Sequence, residues 1–180
     1  MAKPEAHIQA EMNPGPLDNP ALEFLRTYWL GKRGDRAMPS RKDMLPAEMK
    51  KYLDGMVMID VLPGMDEFRY RLIGTAVTQY FLNDPTGKTV AEAWAPFGQG
   101  AVNRICGNLR AVARARACVR LWGAVDWYGN GEEAVDALYV PLSDDGETVN
   151  MIINLFSFDR RRVLLDRQIA TENGRKSLLT

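Results

Sequence analysis

CVRLWGAVDWYGNGEEAVDALYVPLSDDGETVNMIINLFSF, residues 118–158, decides the fold. Three apolar stretches, 118–128, 133–142 and 147–156, are divided by Gly129-Asn130-Gly131 and Asp144-Asp145-Gly146. These connectors supply the glycine and side-chain acceptors that tight antiparallel turns require. The stretch therefore reads as a three-stranded meander.

Working outward, residues 98–117 form a helix that runs straight into the first of these strands. Val102, Ile105, Cys106, Leu109, Val112 and Ala113 recur on one apolar face, while Arg104, Arg110 and Arg114 lie off it. Residues 67–73 alternate Phe68, Tyr70 and Leu72 with Arg69 and Arg71, a strand with one face on a core. Residues 56–62 make another strand, ended by Pro63-Gly64. Short helices are expected over 46–53, 75–82 and 89–94, the last two broken by Asn83-Asp84-Pro85 and Pro96.

Near the N-terminus, Asp18 or Asn19 caps a helix that has Pro20 first and Glu23 in its first turn. Leu22, Leu25, Trp29 and Leu30 then fall at helical spacing, with Phe24 and Tyr28 widening the stripe. Residues 1–17 read as a mobile leader, rich in proline and glycine. The expected division is leader 1–17, helix and linker 18–45, core 46–158 and tail 159–180. The fold class is α+β: a five-stranded antiparallel sheet, helices mainly on one face, and an N-terminal flanking helix. The last strands are apolar on both faces, so the second face is expected to lie under the Trp29 helix or a second subunit.

Composition narrows the function classes. The 180 residues carry 23 Lys and Arg against 23 Asp and Glu, which gives no bulk electrostatic grip on nucleic acid or anionic membrane. No segment has the length and apolarity of a membrane span, and the N-terminus lacks a signal peptide's apolar region. A soluble cytoplasmic protein is the expectation. Cys106 and Cys118 both have apolar neighbours and read as reduced core thiols. No CxxC, histidine cluster or phosphate-binding glycine loop is present, so no metal site is expected. His7 is the one histidine, which leaves no Ser-His or Cys-His dyad to propose. The acidic pairs Asp66-Glu67, Glu132-Glu133 and Asp144-Asp145 fall at turns and read as solvated hairpin ends.

The element order, together with Phe68-Arg69-Tyr70-Arg71-Leu72-Ile73-Gly74-Thr75, resembles the PAS domain family. Tyr28-Trp29, Met38-Pro39-Ser40-Arg41 and Asp84-Pro85-Thr86-Gly87-Lys88 resemble a stand-alone bacterial PAS subfamily found largely in alphaproteobacteria. The resemblance covers roughly residues 18–159. It implies a sensory or regulatory module that binds a small ligand between sheet and connecting helix, or binds proteins through the sheet and its flanking helices. Haem is not expected: the family's usual ligand is a histidine on the connecting helix, where this chain has none, and Cys106 reads as core. Nor does Asn103-Arg104-Ile105-Cys106-Gly107 match the flavin-binding Asn-Cys-Arg word.

The leading expectation is a non-enzymatic signalling protein that acts through protein–protein contacts, with self-association into a homodimer as one form. Its interaction surface would comprise Leu22, Leu25, Trp29, Trp122, Arg160, Arg161 and Arg162. The alternative is a ligand sensor whose pocket is lined by Tyr70, Leu72, Phe81, Ile105, Cys106, Leu109, Leu121, Val125, Leu138, Met151 and Ile153, with a filled core equally compatible. Asn150 and Asn154 are expected on the outer sheet face. An enzyme on a similar sheet is the weakest reading, because no acid–base group can be placed in the pocket.

Overall fold

A computed structural model describes residues 8–79, 84–125 and 133–157. The elements, in chain order, are β1 (Ile8–Met12), α1 (Pro20–Arg33), α2 (Pro46–Met49), β2 (Met56–Val61), β3 (Phe68–Ile73), α3 (Thr75–Thr78), α4 (Val90–Trp94), α5 (Gln99–Ala115), β4 (Val119–Val125), β5 (Glu133–Leu142) and β6 (Met151–Ser157). Short 3-10 turns occupy Arg41–Asp43, Lys50–Gly55, Pro63–Met65 and Ala95–Phe97. The strands form one antiparallel sheet in the order β1-β4-β5-β6-β2-β3. The meander β4-β5-β6 and the helix α5 leading into it are as the sequence predicts.

Two expectations are corrected. The sheet has six strands, because residues 8–12 of the expected leader pair with β4, and Asn13 N–H continues the ladder to the Cys118 carbonyl at 2.7 Å. β1 is an edge strand with Gln9, Ala10, Glu11 and Met12 exposed, so it carries little apolar signal. The last strand starts at Met151 rather than near 147. The Asp145 carboxylate captures the N–H groups of Glu147 and Thr148 at 2.8 and 2.6 Å, which extends the turn.

Helices cover both sheet faces. Asn19 caps α1 by accepting from the N–H groups of Ala21 and Leu22, and its amide donates to Ser157 Oγ at 2.6 Å. That bond pins the start of α1 to the end of β6. Leu22, Leu25 and Trp29 are fully buried against β5 and β6. Each contributes about 1.5–3 kcal/mol by burial, enough to hold a helix that would be marginal alone. This outer face carries Met58, Leu138, Leu142, Met151, Ile153 and Leu155, all buried. It also holds the Arg120–Asp136 ion pair, with two bonds of 2.8 and 2.9 Å.

The inner face, by the same pairing register, carries Ile59, Tyr70, Leu121, Tyr139, Ile152 and Asn154. α4 and α5 lie over it, α4 joined to β3 through a Trp94–Tyr70 hydrogen bond. Leu72 departs from the expected alternation. Met58 pairs with Leu72 and Ile59 with Tyr70, so β3 has an extra residue, Arg71, at a bulge. The bulge turns Leu72 to the outer side, where it is 38% exposed.

Candidate functional site

The inner face gathers polar groups that no regular apolar core needs. Trp94 Nε1 of α4 donates to Tyr70 Oη of β3 at 2.9 Å, with both residues buried. On the neighbouring strands Tyr139 and Asn154 are directly paired, which sets the Asn154 side chain beside the Tyr139 phenol. Burial pushes the Tyr70 and Tyr139 phenols well above their ordinary range, so both stay protonated. Asn154 is 2% exposed, and its Oδ1 has no hydrogen-bond partner among the described residues. A buried amide oxygen left in this state is unfavourable unless something donates to it. Tyr139 also meets the Phe156 ring edge-on at 6.4 Å, beside Ile8, Val135 and Ala137.

The roof is α5. Leu109 is buried, Ile105 and Cys106 are half-buried, and Cys106 lies close enough to Tyr70 to influence its phenol. Burial raises the Cys106 thiol above its ordinary range and pushes Cys118 up to about 12. Neither is a thiolate at neutral pH, which fits core thiols rather than nucleophiles. Among the described residues no three His, Cys, Asp or Glu side chains converge to hold a metal ion. In the same set no helix is long and apolar enough to cross a membrane.

The predicted pocket residues divide between the two faces. Tyr70, Ile105, Cys106, Leu109 and Leu121 gather between sheet and α5. Leu138, Met151 and Ile153 point to the opposite face, under α1, and Leu72 is turned outward by the bulge. Phe81 and the Val125 side chain lie outside the described residues. Asn154, expected outside, is inside. β6 is apolar on both sides, so its sequence alone cannot choose a face; the pairing of Asn154 with Tyr139 does. Asn150 lies beyond the start of β6, and its amide donates to Asp144 Oδ2 at 2.6 Å.

The predicted interaction residues Leu22, Leu25 and Trp29 are fully buried within the chain. They tie α1 to its own sheet and are not displayed to a partner. Trp122 is half-buried beneath the Arg120 guanidinium, 4.9 Å from its ring centre. Arg160, Arg161 and Arg162 lie outside the described residues.

What α1 does display is its opposite side, a shallow groove lined by Phe24, Thr27, Tyr28, Gly31 and Lys32. Phe24 stacks on Tyr28 with ring centres 5.5 Å apart and meets Tyr52 at 4.8 Å. Tyr28 Oη donates to Glu48 at 2.6 Å and accepts from Leu45 N–H at 3.0 Å. Lys32 pairs with Glu48 at 2.8 Å and lies over the Tyr28 ring. That lysine holds the Glu48 carboxyl below its ordinary range, and burial raises the Tyr28 phenol.

The likeness of this arrangement to solved structures is one of fold alone. One solved structure, of an RNA-binding light-oxygen-voltage receptor, aligns with a TM-score of 0.56 at 12% identity. The alignment covers 98% of this chain and 45% of that one, so this chain spans less than half that receptor's length. A sensory box histidine kinase/response regulator from Burkholderia thailandensis E264 aligns with a TM-score of 0.40 at 13% identity, covering 73% of this chain and 99% of that one. No curated protein matches significantly. The family described as PAS domain matches residues 17–156, from the entry to α1 through nearly all of β6. With a sheet flanked by short helices and a connecting helix, matched over most of its length, the chain belongs to the PAS domain family of sensory signalling domains.

Proposed function

We propose that this PAS domain is a non-enzymatic regulatory protein of bacterial signal transduction that passes its state to other signalling proteins by direct contact. The observation that carries this reading is the position of β5. Its Tyr139 belongs to the inner polar cluster, and two residues on, the Pro141 carbonyl accepts from Trp29 of α1 at 2.8 Å. A displacement of β5 at the inner face therefore reaches the helix on the outer face through one strand.

The test is cross-linking capture from cells, with the Trp29→Ala variant and an unrelated PAS domain as controls. A protein enriched by the wild-type chain and diminished with a folded Trp29→Ala supports contact signalling through α1. Enrichment of nothing beyond the unrelated control sinks it.

A second reading, a small-ligand sensor, is favoured by the Asn154 Oδ1, which has no partner among the described residues. A ligand with a hydrogen-bond donor, lying between Tyr70, Cys106, Leu109 and Tyr139, would satisfy it. Haem is not part of this proposal, since it rests on a neutral donor and not on a metal ligand. Native mass spectrometry and an absorption spectrum of freshly purified protein test it: a stoichiometric small molecule supports the sensor, and a bare chain in every preparation counts against it.

A further inference from the structure

We propose that the groove on the outer side of α1 is the docking site for an acidic amphipathic helix of a partner protein. The inference deepens the contact-signalling reading and rests on it. Two observations on α1 and its neighbours give the partner its chemistry.

The first is charge. Residues 23–52 carry eight Lys and Arg against four Asp and Glu, in a chain whose total is zero. Two of these cations lie at or beside the groove. Lys32 lines it, its charge shared with Glu48 at 2.8 Å. Lys51 lies 5.2 Å from the centre of the Tyr52 ring, which itself packs on Phe24. Lys42 is exposed in the neighbouring turn Arg41–Asp43. A basic rim around an apolar floor complements an acidic partner with an apolar stripe.

The second is shape. Phe24, Thr27, Tyr28, Gly31 and Lys32 fall at the i, i+3, i+4, i+7, i+8 spacing that receives the side chains of a crossing helix. Gly31 lies in the last turn of α1, and a Cβ there would meet nothing within 4 Å among the described residues. No described residue fills that space, and the missing side chain leaves a notch between Thr27 and Lys32 that a partner side chain can enter. Leu45, 45% exposed and bonded through its N–H to Tyr28, extends the apolar floor. The stacked aromatics argue for a helix over nucleic acid: Phe24 spends its ring on Tyr28 and Tyr52, which leaves it poorly placed for base stacking.

The experiment titrates isotope-labelled full-length protein with two synthetic amphipathic helical peptides that share one Leu/Phe face. One carries Glu elsewhere, the other Lys. The Glu peptide is expected to shift amides of residues 24–32 and 45–52, with affinity falling as salt rises, and the Lys peptide to leave them unmoved. Gly31→Trp, which points into open space and should fold normally, is expected to weaken binding about tenfold or more by filling the notch. Lys42→Glu with Lys51→Glu is expected to do the same through the rim. Equal binding of both peptides, shifts confined to other elements, no shifts at all, preferential binding of an RNA oligonucleotide, or concentration-dependent self-association through these amides would each overturn the assignment. A partner captured through another surface would remove this docking site and leave contact signalling standing; capture of no partner at all would remove both.

Discussion

The indole N–H of Trp29 donates to the backbone carbonyl of Pro141 at 2.8 Å, joining residues 112 apart in sequence. Proline has no N–H of its own to give the sheet, and here its carbonyl is spent on a helix outside the ladder. Trp29→Phe keeps most of the buried ring and leaves that carbonyl unpaired. It is expected to lower stability by about 1–3 kcal/mol, and Trp29→Ala by about 3–5 kcal/mol. Denaturant unfolding of the two variants checks the order. Equal losses would mean that the hydrogen bond contributes nothing beyond ring packing.

Arg120 and Asp136 make a second link on the same face, the carboxylate almost wholly covered and the guanidinium partly open. Asp136→Ala takes a bidentate carboxylate from a largely buried guanidinium and is expected to destabilise by about 3 kcal/mol. The double variant Arg120→Met with Asp136→Leu should recover most of that loss, because an apolar pair of similar volume avoids desolvating charge. Urea midpoints of single and double variants form the cycle that decides it.

Glycine substitutions should move stability in opposite directions at two positions. A Cβ on Gly74 would fall 2.2 Å from the Asp54 carbonyl oxygen and 2.3 Å from that of Leu53, both backbone atoms that cannot swing aside. Gly74→Ala is expected to cost about 3 kcal/mol or more, beyond the usual overpacking range's middle. Gly31→Ala, in open space on a helix, should stabilise by about 0.5–1 kcal/mol. Thermal melts of the two single variants suffice.

These positions also mark what was legible in the sequence. Helical period placed α1 and α5, and turn chemistry placed the β4-β5-β6 meander, because each signal is local. The placing of Tyr70, Leu109 and Leu121 between sheet and α5 followed from the same periods. Leu72 was misassigned because a one-residue bulge reverses parity without changing composition. Met151, Ile153 and Asn154 exchanged faces because β6 is apolar on both, so only its cross-strand register separates them. Trp29 was read as a docking residue from a stripe that the chain's own sheet consumes. β1 escaped notice because an exposed edge strand needs backbone partners more than apolar side chains.

The acid limb of stability should come from the depressed carboxylates, among them Asp145, Glu23 and Asp43. Backbone N–H groups of Thr148 and Glu147 hold Asp145 far below its ordinary range; Arg26 lowers Glu23; the Ser40 N–H lowers Asp43. A group whose folded pKa is depressed contributes stability above its unfolded pKa, and that contribution is lost as pH falls through the folded value. Stability is thus expected to be flat from neutral pH down to about 5 and to decline below about 4. Asp145→Asn should lower the neutral melting temperature slightly and make the acid limb shallower, since one fewer proton is taken up on unfolding. Melting temperature against pH for the two proteins reads both effects; parallel curves would exclude Asp145 as a contributor.

Asn154 gives the sharpest division between a filled core and a ligand site. Its Oδ1 is buried without a partner among the described residues, beside the Tyr139 phenol. Replacing it with leucine removes an unsatisfied oxygen and leaves the Tyr139 hydroxyl the smaller deficit. The ligand-free Asn154→Leu variant is therefore expected to stay within about 1 kcal/mol of wild type. The same substitution removes the acceptor that a donor ligand would use, so any ligand-induced rise in melting temperature should fall by at least half relative to wild type. Leu109→Trp, which fills the space from α5, should abolish that rise while the fold survives. Loss of more than about 2 kcal/mol in ligand-free Asn154→Leu would instead mark the amide as a structural hydrogen-bond group. An undiminished thermal shift in both variants would place the ligand away from the inner face.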